Sequence, residues 1–146
     1  MTGSKGAPQK LRGCGVYLLS DDGSRILLTQ RGPGARHEPY KWEGPGGALE
    51  PGETYEQGAK RELLEELGVS VQLDKLVATY DEIIDAHGMS WEAQVFTGRT
   101  TDVPSIQEPT KCVGFAWFTK AEVKALYRAD ALASYSVNDL RHLGWL

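Results

Sequence analysis

Three glutamates, Glu62, Glu65 and Glu66, follow directly on an arginine in the run Arg61-Glu62-Leu63-Leu64-Glu65-Glu66-Leu67-Gly68-Val69. On a helix, spacing of i, i+3 and i+4 gathers the carboxylates into one arc of roughly 100°. Like charges so placed repel by a few tenths of a kcal/mol per pair. A divalent cation turns that repulsion into attraction. Mg²⁺ takes hard oxygen ligands in an octahedron and typically shares its shell with water and substrate phosphates. The plainer alternative is a solvated acidic face balanced by Lys60 and Arg61. The residues upstream decide between the two. Gly47, five residues, Glu53, seven residues and then Arg61 form one spaced pattern, and Pro45-Gly46-Gly47 lets the backbone come close to a ligand.

The element that must hold these groups is legible around them. Thr54 followed by Gln57 is a capping box, so the helix starts at Tyr55. Gly68 after Leu67 supplies the left-handed stop. Ala59, Leu63, Leu64 and Leu67 are expected on the core-facing arc, beside the carboxylates. Gly58 falls within the acidic arc. A glycine inside a helix costs about 1 kcal/mol relative to Ala, which suggests close approach by another backbone or a ligand.

The full run GALEPGETYEQGAKRELLEELGV resembles the Nudix box of the MutT-like hydrolases, G-x5-E-x7-R-E-U-x-E-E-x-G-U with U aliphatic, at every specified position. With each type at roughly 6% of average usage, seven such matches fall below about one in 10⁸ per start site. The resemblance implies an α/β fold, a Nudix-type α/β/α sandwich around a central mixed β-sheet. It also implies a Mg²⁺-dependent hydrolase (Mn²⁺ as a possible substitute) that cleaves phosphoanhydrides of nucleoside diphosphate-linked compounds. Carried over position by position, Glu62, Glu65, Glu66 and the carbonyl of Gly46 would ligate the metal. Arg61 would orient a neighbouring glutamate, and Glu53 would steady the loop within the same network. The proton acceptor would be Glu62 or a later carboxylate. Glu108 is the leading candidate for the latter, with Glu92 competing.

The rest of the chain supports a domain around this helix. Its 146 residues, 40% apolar and 25% charged, suit one domain with a sizeable core. We expect a flexible tail over 1–10 and the Nudix domain over 11–146. Strands are expected at Leu11–Ser20, Arg25–Gln30, Val69–Asp81, Ser90–Thr97 and Cys112–Phe118, with helices over Lys120–Tyr127 and near Ala131–Leu143. Arg31–Lys41 and Asp102–Pro109 read as loops, the first a candidate substrate-facing segment. Gly13 and Gly15 weaken the first strand and would flatten a surface for a ligand.

A net charge of −4 argues against a nucleic acid polymer as the main ligand. No apolar run reaches the length of a membrane span, and MTGSKGAPQK lacks the apolar core of a signal peptide. Cys14 and Cys112 read as buried free thiols in a reducing compartment, which points to the cytoplasm. Monomer and homodimer both remain open. His37, His87 and His142 are scattered and read as ordinary polar residues.

For the substrate, Glu108-Pro109-Thr110-Lys111-Cys112 and Trp117-Phe118 resemble Nudix enzymes of nucleoside triphosphates, including modified ones. The implied products are a monophosphate and pyrophosphate. Leu27-Leu28-Thr29-Gln30-Arg31 is similar to the coenzyme A pyrophosphatases, but Gly32, Tyr40 and Gly44 depart from their pattern. ADP-ribose and dinucleoside polyphosphates are further alternatives. A catalytically silent nucleotide-binding module is the reading of another class, and such modules usually lose box glutamates. Isopentenyl diphosphate isomerases need a cysteine context that Cys14 and Cys112 do not reproduce. Tyr17, Tyr40, Trp42, Trp91, Trp117 and Phe118 are the aromatics available to stack on a base.

Overall fold

The computed structural model describes residues 10–85 and 87–146, so the expected tail lies almost wholly outside the described residues. Seven strands and three helices are described: β1 (Leu11–Leu18), β2 (Arg25–Arg31), β3 (Trp42–Glu43), β4 (Gly46–Ala48), α1 (Tyr55–Leu67), β5 (Gln72–Ile84), β6 (Ser90–Arg99), β7 (Cys112–Thr119), α2 (Lys120–Arg128) and α3 (Ser134–His142). The mixed sheet has the order β4-β1-β6-β5, with β1 parallel to β6 and its other pairings antiparallel. Beside it lies a second, antiparallel sheet of order β3-β2-β7. The short strands β3 and β4 have no alternation long enough to register in sequence. They flank Gly44-Pro45 and form the corner at which the two sheets meet the site.

Helices cover both faces, giving the α/β/α sandwich. On one side α1 packs Ala59, Leu63 and Leu67 against Cys14, Val16, Leu18, Leu27 and Phe96. On the other, α2 and α3 bring Val123 and Leu140 against Tyr17, Ile26, Leu28 and Val95. Strand alternation explains the split, since successive side chains of β1 and β2 point to opposite layers. Leu64 does not join the core; it is 55% exposed. One residue past Leu63 turns it about 100° around the helix, onto the solvent edge of the arc.

Both ends of α1 carry the expected signals. Thr54 accepts from the Gln57 N–H at 3.1 Å while the Gln57 side chain accepts from the Thr54 N–H at 3.0 Å. Gly68 closes the helix at φ 67°. The reason for Gly58 differs from expectation. Side chains rather than another backbone come close: a Cβ there would sit 2.9 Å from Leu49 Cγ and 3.2 Å from Glu53 Oε1. The loop before the helix lies directly on it.

The C-terminal helices are clipped to the Gly/Pro-rich segment. Trp42 donates to the Ala131 carbonyl at 2.8 Å and accepts from the Ala133 N–H at 2.8 Å. Glu38 caps α3 by accepting from the Ser134 N–H at 3.2 Å, and Lys41 pairs with Asp130 at 3.1 Å. Leu63→Ala should therefore cost about 2–5 kcal/mol through the cavity it leaves. Leu64→Ala should stay within about 0.5 kcal/mol. Urea unfolding followed by tryptophan fluorescence measures both, and equal losses would contradict this packing.

Candidate functional site

Arg61 is the hub of the acidic helix. Its guanidinium donates to both oxygens of Glu53 at 2.7 and 2.8 Å, to Glu62 Oε1 at 3.1 Å and to Glu65 Oε1 at 3.1 Å. It also donates to the Ala48 carbonyl at 3.0 Å, which ties the helix to β4. This pairing holds the Glu53 carboxyl down at about 2, and Glu53 in turn accepts from the Glu50 N–H at 2.7 Å. Arg61 and Glu53 thus sit where the box pattern places them. A planar fork suits this better than a point charge.

Glu62 and Glu66 face the β3–β4 corner. Gly46 N–H donates to Glu66 Oε2 at 3.1 Å. A Cβ on Gly47 would fall 2.7 Å from the Glu62 carboxyl, so only glycine leaves that approach open. Burial pushes the Glu66 carboxyl well up, and the charges of Glu62, Glu43 and Glu108 push it further. Burial likewise raises Glu62, against the pull of Arg61. Glu65 is more exposed, on the outer side of Arg61. Glu108 lies in the turn before β7, where its carboxylate is 3.4 Å from Lys111 Nζ and its field reaches Glu66.

Glu92 stands apart. Along β6, Trp91, Ala93 and Val95 line the cleft described below, so Glu92 points to the opposite face, beside Tyr55.

As the side chains stand, no three acidic, histidine or cysteine groups among the described residues form a ready-made metal cage. Arg61 holds Glu62 and Glu65, while the Gly46 amide holds Glu66. The donor set nevertheless fits a hard divalent cation. Burial raises the Glu62 and Glu66 carboxyls, Glu66 has no ion pair among the described residues, and oxygen ligands are what Mg²⁺ takes.

Glu66 and the corner glycines open onto a cleft of about 840 Å³. Gly13 and Gly15 form part of its floor, as their place in β1 suggested. Arg31 and Lys111 bring positive charge to it, and Tyr80, Trp91 and Tyr135 bring aromatic surface. The Trp91 indole N–H donates to Asp85 at 2.9 Å, and a Cβ on Gly13 would meet the Trp91 ring at 3.3 Å. Of the aromatics proposed from sequence, only Trp91 lines this cleft. Tyr17 is fully buried, Trp42 and Phe118 pair edge-to-face at 5.0 Å, Trp117 packs on the α1 side, and Tyr40 is exposed. Cys14 and Cys112 are free and buried, with the Cys14 thiol pushed up to about 12 by burial.

Three groups at the cleft escaped the sequence reading. Glu43 is half-buried against Arg31 at 2.9 Å, and loss of solvent pushes its carboxyl to about 7 despite that partner. Arg31 also donates to the His37 carbonyl at 3.0 Å. Asp139, on α3, accepts from Tyr17 at 2.8 Å and from Tyr80 at 2.8 Å, with burial raising its carboxyl. Glu43 directly precedes the Gly44-Pro45-Gly46 corner, and that position is its local signal. Asp139 and Tyr80 carry no local signal, since tertiary folding alone unites α3 with β5.

The NUDIX domain family matches residues 9–139, and the chain belongs to that family. The chain is 38% identical over 77 residues to an 8-oxo-dGTP diphosphatase of Escherichia coli K12, covering 52% of this chain and 59% of that protein. It is 33% identical over 131 residues to an isopentenyl-diphosphate Delta-isomerase of Nocardia farcinica, covering 86% and 74%. A MutT NUDIX hydrolase structure from Burkholderia pseudomallei superposes with a TM-score of 0.78 at 28% identity, over 92% of this chain and 98% of that one. The chain spans 59% and 64% of the length of its Escherichia coli and Bacillus subtilis relatives.

The site makes the metal-free protein sensitive to pH. Glu43, Glu62 and Glu66 bind protons more tightly when folded, so their contribution is full below their unfolded pKa and fades as pH rises through the folded values. Glu53 acts in the opposite sense, but its contribution is already complete above about pH 4.5. In EDTA, Tm should fall from pH 5 to pH 8. Glu43→Gln should flatten the part of that fall centred on pH 4.5–7. Differential scanning fluorimetry reads both, and a Tm that rose with pH would refute the assignment.

Proposed function

We propose that this chain is a Mg²⁺-dependent pyrophosphohydrolase that converts a nucleoside triphosphate, modified ones included, to a monophosphate and pyrophosphate. The observation that carries the reading is Glu66, which has no ion pair among the described residues and lines a cleft that also presents Arg31 and Lys111, with Glu62 one turn away on the same helix. Anion-binding cations beside a cation-binding patch suit a metal–polyphosphate unit, which carries both charges.

Glu62, Glu65, Glu66 and the Gly46 carbonyl would hold the metal. When bound, Mg²⁺ supplies charge neutralisation on the phosphates and activation of a water. The protein does the remainder. Arg61 keeps Glu62 and Glu65 aimed, and Glu53 keeps Arg61 in place. Arg31, braced by Glu43 and the His37 carbonyl, and Lys111 are placed to bind phosphate oxygens. Water attacks phosphorus, the anhydride P–O bond breaks, and the water's proton passes to a carboxylate, either Glu62 or Glu108. Comparing Glu62→Gln with Glu108→Gln in single-turnover assays separates these two.

The names of relatives lend support, since they include 8-oxo-dGTP diphosphatases. Coenzyme A is less favoured because of the departures at Gly32, Tyr40 and Gly44, and ADP-ribose and dinucleoside polyphosphates because the proline and tyrosine that usually mark those subfamilies just after the box are missing. A silent binding module is disfavoured because every box carboxylate is present. The isomerase relative raises that chemistry as a second reading, but a Cys14 thiol pushed up to about 12 is a poor reactive cysteine. Free, buried thiols suit a cytoplasmic location, and among the described residues no helix is long and apolar enough to cross a membrane.

Pyrophosphate release from a panel of triphosphates should need Mg²⁺ and stop with EDTA. Glu66→Gln should lower kcat by at least about 100-fold, the order of loss when one transition-state charge stabiliser is removed. The rate should rise into the alkaline range, because carboxylates that hold a cation ionise well below neutrality whereas the attacking water yields its proton more readily at higher pH. A maximum below pH 6, or unchanged turnover in Glu66→Gln, would overturn the site.

A further inference from the structure

Most of the donors of Arg31 are already committed inside the protein. Its Nε donates to the His37 carbonyl at 3.0 Å, and Nη1 donates to Glu43 Oε1 at 2.9 Å and to the Tyr135 hydroxyl at 3.3 Å. Only Nη2 has no partner among the described residues, so it is the edge of the guanidinium left to meet an anion in the cleft. Its direction is set by the acceptors that hold the other nitrogens.

The His37 carbonyl sits on backbone that has to be held in place. Glu38 stands at φ 48° and Tyr40 at φ 66°, in the left-handed region that residues with a side chain rarely adopt. The holding contact is the Glu38 carboxylate. Both of its oxygens lie 3.2 Å from the Ser134 amide nitrogen, and Oε2 also accepts from the Ser134 hydroxyl at 3.2 Å. Ser134 opens α3 and directly precedes Tyr135. This helix therefore reaches Arg31 twice, once through the Tyr135 hydroxyl and once through Ser134, Glu38 and the His37 carbonyl in series.

On the nucleoside triphosphate reading above, we propose that Glu38 is a positioning residue for the phosphate chain: its clamp on Ser134 fixes the His37 carbonyl and so aims Arg31 Nη2 into the cleft. Arg31 lines the cleft and Glu38 does not, so Glu38 acts through the arginine. Without the clamp, Glu38 and Tyr40 relax toward negative φ and the carbonyl turns away. A guanidinium held at Nη1 alone then swings about that nitrogen.

The test uses the full chain with Mg²⁺ and whichever of dATP, dGTP, dCTP, dTTP and 8-oxo-dGTP it cleaves fastest. Two variants break the clamp from opposite sides. Glu38→Ala removes the carboxylate. Ser134→Pro removes the N–H and the hydroxyl together, at a first helical position that suits proline and after an Ala133 whose ψ of 142° already fits one. Each should raise KM by about tenfold, the order expected when a hydrogen bond to a charged group is lost. Each should leave kcat within about twofold, because a phosphate contact is made in the ground state and the transition state alike. In an Arg31→Ala background the same changes should move KM by less than about twofold, since no guanidinium is left to aim. If the clamp serves the loop's stability alone, Tm falls while KM shifts equally in both backgrounds or not at all, and the proposal is overturned with the hydrolase reading intact. A wild-type chain that cleaves none of these nucleotides removes both. Should Glu38→Ala fail to fold, Ser134→Pro alone decides.

Discussion

The fork of Arg61 is the constraint on which the rest of the site depends. Four carboxylates and a backbone carbonyl lie within reach of one guanidinium, and its two nitrogens bind Glu53 side on. Without that cation, Glu62 and Glu65 would share a helix face with nothing to offset their repulsion. With it, the acidic residues hold defined rotamers. The contact with Ala48 extends the same control to β4, so helix and corner are set relative to one another by a single side chain.

Order passes from that fork into the fold. α1 is buried along Ala59, Leu63 and Leu67, which leaves its acidic edge to overhang the β3–β4 corner. The corner is fixed from the other side as well. Its Gly46 is so close to Cys14 and Gly15 of β1 that no side chain would fit, and the Val16 N–H donates to the Pro45 carbonyl at 2.9 Å. Two helices and two sheets therefore agree on the position of a few backbone atoms. Such agreement is what the proposed metal site needs, since a grip on an ion tolerates only a fraction of an ångström.

Much of this was legible in the residues, for definite reasons. Local chemistry writes itself locally: Thr54, Gln57 and Gly68 bracket α1, and the box spacing places Glu53, Arg61, Glu62, Glu65 and Glu66 together. Strands β2, a short apolar run, and β6, with its alternation, were found to within a residue or two. What escaped depends on distance along the chain. β3 and β4 are too short for a period to show. Leu64 looked like core because arc membership blurs at its edges. Glu92 was ambiguous until the pairing of β6 fixed its parity. Glu43 and Asp139 acquire their environment from segments about a dozen to well over a hundred residues away, and only folding brings these together.

The alternation of β1 has a consequence beyond packing. Its even positions Cys14, Val16 and Leu18 fill the layer beneath α1, while Gly13 and Gly15 leave room on the other side. A slip of one residue against β6 would turn every side chain over. Thiol, valine and leucine would then plug the cavity, and the glycines would hollow out the interior. Correct pairing is thus enforced twice, once by oil and once by empty space, and a misthreaded chain would lose its stability and its ligand room in the same step.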